Sequence, residues 1–230
     1  MHKSKIIKVI QETHDTHSIR FEKPPGFNYK PGQYGIFEHK MGEELIRRSY
    51  SFSSSPTEKF LEVTVKRIPD GKMSNYINDL KPGDIVEYNA PIGKFVFEDD
   101  IKEAVFIAGG SGISPFRGMS KYIIDKKLDT NAILIYGSRS PDDIILKHDF
   151  EEINEQNDNF SLYLTIDKPH PDWNLHVGFI DADFIKEATK GKLEGKTYFI
   201  IGSPPMVTGV KDTLLKLGIP EEQVRIDAWG

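Results

Sequence analysis

The hydrophobic period of this chain changes once, near residue 100, and that change limits the folds open to it. Before it, IIKVIQET, HSIRFEK, GQYGIFEHK, FLEVTVKRI, DIVEYNA and KFVFED are short segments rich in β-branched and aromatic residues, many alternating apolar with polar. Turn-forming PPGF, KPGQ, IPDGK, KPGD and APIGK separate them. Six short antiparallel strands with tight turns imply a small barrel, because closure removes unpaired edges. MSNYINDL is the one helical insertion, with Met73, Tyr76, Ile77 and Leu80 at spacings of three and four. Beyond residue 104, AVFIAGG, AILIYGS, FSLYLTI and TYFIIGS are apolar runs of the kind buried on both faces of a parallel sheet. PFRGMSKYIIDKK, DDIILKHDFEEINEQ, DADFIKEATK and PMVTGVKDTLLKLG read as helices. Alternating strand and helix predicts right-handed crossovers and a doubly wound sheet. The expected architecture is a six-stranded Greek-key β-barrel over residues 1–99, followed by a doubly wound parallel α/β domain over residues 100–230. FEDDIKE is the expected junction.

Composition removes several functional classes. Cysteine is absent, which excludes disulfides, a thiol nucleophile and any cysteine-ligated iron–sulfur cluster within the chain. No metal set emerges from the seven histidines; His14 and His17 are three apart in an extended segment and face opposite sides. A formal charge of -5 with no basic stripe argues against a general nucleic-acid binder. Lys3, Lys5 and Lys8 read as solvated lysines on a strand edge. No apolar run approaches the roughly 18 residues needed to cross a bilayer, so no membrane insertion is expected. MHKSKIIKVIQET has lysines but no apolar core of a secretory signal, which makes the cytoplasm the expected location.

Two motifs carry the chemistry. RRSYSFSSS places the Arg48 cation, the Tyr50 ring and the Ser51 hydroxyl on one extended segment, a set suited to a flat, phosphorylated, redox-active ligand such as a flavin. FIAGGSGISP lies between an apolar strand and a helix. Gly109, Gly110 and Gly112 open backbone conformations closed to other residues, and the free N–H groups and positive end of the helix stabilise a pyrophosphate. Pro115 suits the first helical position. The pattern G-x-G-x-x-P differs from the G-x-G-x-x-G of a dinucleotide fold. The next strand ends in Ser138 and Arg139, where a carboxylate would hold the ribose of NADH; a guanidinium there suits a 2′-phosphate and favours NADPH, unless Arg139 is a surface residue paired with Asp142 or Asp143. KRIPDGKMSN sets Lys66, Arg67, Gly71 and Ser74 at the start of the short helix, either as a further anion site or as a simple serine cap.

Taken together these motifs resemble the ferredoxin–NADP reductase family, over nearly the whole chain and in the family's order. R-x-Y-S is Arg48–Ser51, G-x-x-S is Gly71–Ser74, and G-G-x-G-I-x-P is Gly109–Pro115. C-G-P-P-x-M corresponds to IGSPPMV, and a terminal acid-x-aromatic to Asp227-Ala228-Trp229. The resemblance implies an FAD-binding barrel and a domain for NADPH or NADH. It places Arg48 on the flavin pyrophosphate, Tyr50 along the ring system and Ser51 near the hydride-accepting nitrogen. Val65, Lys66, Gly71, Lys72, Met73 and Ser74 would surround the pyrophosphate. Gly110, Ser111, Gly112, Ile113 and Pro115 would hold the NAD(P)H pyrophosphate, with Ser138 and Arg139 at its ribose. Gly202, Ser203, Pro204 and Met206 would lie beside the nicotinamide, and Asp227 and Trp229 near the flavin. The family's cysteine is missing: Gly202-Ser203 stands where Cys-Gly is expected, and Gly230 follows the aromatic.

The implied activity is hydride transfer from NAD(P)H to FAD, then electron transfer to an external protein: ferredoxin, flavodoxin or an oxygenase component. With no cysteine to hold an iron–sulfur cluster, electrons must leave for a separate partner. Two other readings stand beside it: a reductase subunit docked in a larger redox complex, and a nucleotide-binding regulatory member without turnover.

Overall fold

In the structure, a computed structural model that describes residues 1–228, the alternating part of the chain forms six antiparallel strands. They are β1 (His2–Thr13), β2 (Thr16–Glu22), β3 (Tyr34–Met41), β4 (Glu44–Ser51), β5 (Phe60–Lys66) and β6 (Ile85–Ile92). Their order is β4-β3-β6-β1-β2-β5, and the edges meet just beyond β4, where Phe52 bridges Val63 and Ser53 N–H donates to Glu62 O at 2.9 Å. The sheet is thereby closed into the expected barrel. Phe21, Phe37, Phe52 and Tyr88 fill it, with Phe37 and Tyr88 stacked at 5.4 Å and Phe21 edge-on to both. Helix α1 (Lys72–Asp79) packs across β2, β4 and β5 on its Met73, Ile77 face.

The strand set differs from expectation at one member. KFVFED is not a strand; Phe97 N–H donates to Pro31 O, and Phe95 packs its ring on Phe116, so burial of the phenyls rather than ladder pairing holds the segment. The sixth strand is β4 instead, which contains RRSYS.

The later strands, β7 (Glu103–Gly109), β8 (Asn131–Ser138), β9 (Phe160–Ile166), β10 (His176–Val177), β11 (Thr197–Gly202) and β12 (Val224–Ala228), form one parallel sheet in the order β10-β9-β8-β7-β11-β12. Helices are α2 (Ser114–Asp125), α3 (Lys147–Gln156), α4 (Ala182–Ala188) and α5 (Pro204–Lys216). On one face, α4 and α5 cover Val105, Ile107, Tyr198 and Ile200; α3 meets the opposite face through Phe150 on Phe160. The apolar run before α3 is not continuous helix. Leu146 adopts φ 58°, which ends any helix for an L-residue, and the turn lets Ile144, Ile145 and Leu146 all point inward. The short strands β10 and β12 carry no period long enough to read.

Two compact units result: residues 1–97 with 114–126, and 98–113 with 127–230. Helix α2 therefore packs with the barrel. Among the described residues, no helix is long and apolar enough to cross a membrane.

Phe52 is fully buried at the closure point. Phe52→Ala should lower unfolding free energy by about 3–5 kcal/mol, read as a shift in urea midpoint; a change under about 1 kcal/mol would show that closure does not depend on this ring.

Candidate functional site

Period-two alternation on β4 puts Arg48 and Tyr50 on one side and Ser51 on the other. Tyr50 is half-buried, edge-on to Phe37 at 5.7 Å, and burial pushes its hydroxyl up to about 12 despite the opposing Arg48 cation. Its ring packs against the barrel core. Arg48 is exposed; its guanidinium donates to its neighbour's carbonyl at Arg47 O, and among the described residues no carboxylate pairs with it. Ser51 stands across from Tyr34 in the β3–β4 ladder.

Around the start of α1 the cations are already engaged. Lys66 Nζ lies 3.0 Å from Asp15, Arg67 2.7 Å from Asp79, and Lys72 2.5 Å from Glu44. The Ser74 hydroxyl is buried and used locally, accepting from Ile68 N–H and donating to Gly71 O, each at 3.2 Å. A β-carbon at Gly71 would stand 2.5 Å from that hydroxyl, so the motif needs glycine there to keep the turn. The hydroxyl thus ties down the turn before the helix and caps no helix N–H, so the simple serine cap is not formed, and what α1 offers an anion is its first backbone N–H groups, at Lys72, Met73 and Ser74. Val65 is a core residue whose carbonyl accepts from Asn78 at 3.1 Å.

In the parallel sheet the strand order reverses between β7 and β11, and ligands of open α/β sheets bind at such a point, beyond the strand C-termini. Both candidate loops sit there. The chain leaves β7 through a 3-10 turn, Gly110–Ile113, directly into α2. Gly110 has φ +54°. A β-carbon at Gly112 would stand 2.7 Å from Ile201 O, so only glycine lets the loop pack this closely on β11. Ser111 is half-exposed, whereas Ile113 and Pro115 are buried. Tyr136, which the sequence reading passed over, ties the loop down: its hydroxyl donates to Gly110 O and accepts from Ile145 N–H, both at 3.1 Å. A tyrosine in an apolar run carries no sequence signal of that role.

At the end of β11, Met206 lies over two glycines. β-carbons at Gly109 and Gly202 would stand 2.7 and 2.5 Å from its sulfur. Counted back from Met206, the C-G-P-P-x-M spacing puts the buried Ile201 at the cysteine position and Gly202 at the motif's own glycine, which corrects the placing of the departure at Gly202. Ser203 and Pro204 are exposed at the start of α5. Asp227 pairs with Ile201 in the β11–β12 ladder, and partial burial raises its carboxyl above the usual range. Trp229 lies outside the described residues. Among the described residues the buried Ser138 hydroxyl meets no partner and the exposed Arg139 has no carboxylate in reach; neither Asp142 nor Asp143 pairs with it.

A family model for an oxidoreductase FAD-binding domain matches residues 3–97, and one for an oxidoreductase NAD-binding domain matches residues 106–212. Together the two matches span most of the chain, which is thus an oxidoreductase built from an FAD-binding domain followed by an NAD-binding domain. It is 30% identical over its whole length to the glycine betaine monooxygenase reductase subunit of Pseudomonas aeruginosa, of which it spans 64%. The NADH-cytochrome b5 reductase 2 of Xenopus laevis is 29% identical over 94% of this chain and 84% of its own length. In fold the chain matches a ferredoxin NADP+ reductase of Neisseria gonorrhoeae, with TM-score 0.87 over 99% of this chain and 98% of that one, at 23% identity.

The two loop glycines differ in what they require. Gly112→Ala should cost about 1–3 kcal/mol by driving β7's loop off β11, whereas Gly110→Ala, with open space around it, should cost about 1 kcal/mol of backbone strain. Thermal unfolding of the two variants checks the order.

Proposed function

We propose that this chain is a reductase that takes hydride from NADPH, or less readily NADH, onto FAD and hands electrons singly to a separate carrier protein. The observation that carries the reading is Arg48, a cation without an acidic partner among the described residues, standing beside the half-buried Tyr50 ring on one strand. Bound FAD would supply hydride acceptance and one-electron release, chemistry no side chain here performs. Arg48 would neutralise one pyrophosphate charge, and the Lys72, Met73 and Ser74 amides would bind the other oxygens. Tyr50 would back the flavin ring and keep water from that side, with Ser51 at its edge. Gly110–Ile113 and Pro115 would hold the pyridine-nucleotide pyrophosphate, and Gly202–Met206 the nicotinamide. Arg139, exposed beyond Ser138, would take a 2′-phosphate.

Ferredoxin or flavodoxin is the proposed acceptor. An oxygenase component is the second reading, favoured by the relative named as a monooxygenase reductase subunit. Purified protein should be yellow, bleach with NADPH without oxygen, and recover colour on adding the competent carrier. A colourless protein that takes up no FAD would sink the proposal.

Arg48→Ala should weaken FAD retention by roughly 1.5–3 kcal/mol, the worth of a charge-assisted hydrogen bond, measured as flavin released on dilution. Arg139→Ala should lower the NADPH-to-NADH ratio of kcat/KM by about tenfold; an unmoved ratio would remove Arg139 from coenzyme choice.

A further inference from the structure

Helix α2 lies directly on the backbone that leaves β4. A β-carbon at Gly118 would stand 2.5 Å from Ser54 O and 3.3 Å from Phe52 O. Side-chain bonds fasten it along its length: Ser114 Oγ donates to Thr64 O at 3.2 Å, Arg117 Nη1 donates to Ser53 O at 3.0 Å, and Thr57 Oγ1 donates to Asp125 at the helix end. The Arg117 side chain is only 7% exposed. Its two terminal nitrogens reach the Glu58 carboxylate at 3.0 and 3.4 Å and the nearer stands 3.7 Å from Glu62. Glu62 is answered from β2 by Arg20 at 2.8 Å.

What these bonds join matters more than their number. The wall they grip, residues 52–64, begins one residue after Ser51. The helix they grip carries Ser114 and Pro115 in its first turn, where the glycine loop ends. We infer that Arg117 is a positioning residue that couples the two nucleotide grips: through Glu58 and Ser53 it fixes the segment continuing from Arg48–Ser51 and, on the same helix, the Ser114–Pro115 turn. The inference rests on the FAD and NAD(P)H reading above. A ligand that orders one of two fastened elements lowers the ordering cost met by the second ligand, and such coupling is reciprocal. Arginine suits the role because its planar fork spans both carboxylate oxygens and holds the helix in rotation as well as in distance.

The test is the dissociation constant of FAD with and without saturating NADP+, in the wild type, in Arg117→Lys and in Glu58→Gln. Lysine keeps the cation but cannot span two oxygens. NADP+ should tighten FAD binding to the wild type by about fivefold or more, and Arg117→Lys should abolish most of that factor while raising KM for NADPH more than it lowers kcat. Should the lysine variant fail to fold, Glu58→Gln, which keeps the acceptor oxygen, gives the same readouts in milder form. A merely structural role predicts a lower Tm with the FAD–NADP+ factor unchanged, and that result overturns the inference. So does a wild type that binds FAD with no response to NADP+. A wild type that binds no FAD overturns the functional reading itself and the coupling with it.

Discussion

A carboxylate with 1% exposure in a barrel wall is the constraint around which the first unit is organised. Glu62 loses its hydration on folding, and a buried charge without partners is too costly to persist. Its partners come from three different places: Arg20 on β2, Arg117 on α2 and the Ser53 hydroxyl beyond β4. None of them is next to it in sequence: Arg20 reaches it only across the paired β2–β5 ladder, and Arg117 adds a second cation only once α2 has packed on the barrel. Removing one member leaves a charge behind, a loss of about 3–5 kcal/mol. Partial assemblies are thereby penalised, and β5 is kept in one register. The same polar face continues through Thr64, hydrogen-bonded to Ser18 and Ser53.

At the parallel sheet the governing factor is close backbone approach. Gly112 rests on the Ile201 carbonyl and Gly202 beneath the Met206 sulfur, so the loops after β7 and β11 share one small volume at the point where strand order reverses. Phosphate needs main-chain N–H groups at close range, and side chains at these positions would hold it away. Met206 then replaces, with a flexible thioether, the bulk that the glycines omit. Tyr136 fixes the loop from below through its hydroxyl, which leaves the loop amides rather than its carbonyl to face a ligand.

Most of this was legible where side chains report their own environment. The period change located both sheets, and the apolar runs became β7, β8, β9 and β11 nearly residue for residue. KFVFED misled because phenyls with period two signal burial on one side, which packing against Phe116 satisfies as well as a ladder does. The run IILKHDF misled because three adjacent apolar residues all face inward only if a backbone turn intervenes, and Leu146 supplies it in a conformation that residue type rarely adopts. Alternation alone would put Glu62 and Thr64 on the solvent face of β5, yet both are buried, and Glu62 faces Arg117, some fifty residues away. A pairwise event of that kind leaves no mark on either local pattern.

The start of α1, proposed above as part of an anion grip, shows the same separation between residue type and role. Serine at position 74 fits the motif, yet its hydroxyl is taken by the turn before the helix, on Ile68 N–H and Gly71 O. Lys66, Arg67 and Lys72 are neutralised by Asp15, Asp79 and Glu44, so a basic stretch in sequence presents little net field. What remains for an anion is directional: backbone amides with the helix's partial positive charge, worth about 0.3–1 kcal/mol when exposed, and the Arg48 guanidinium. A site built from fixed amides and one fork discriminates by geometry more than by charge, since amides accept only an oxygen placed along the helix start. On the proposed reading the ligand would be a bridged diphosphate, with one group for the helix amides and one for the guanidinium, where a single phosphate would use only one of the two.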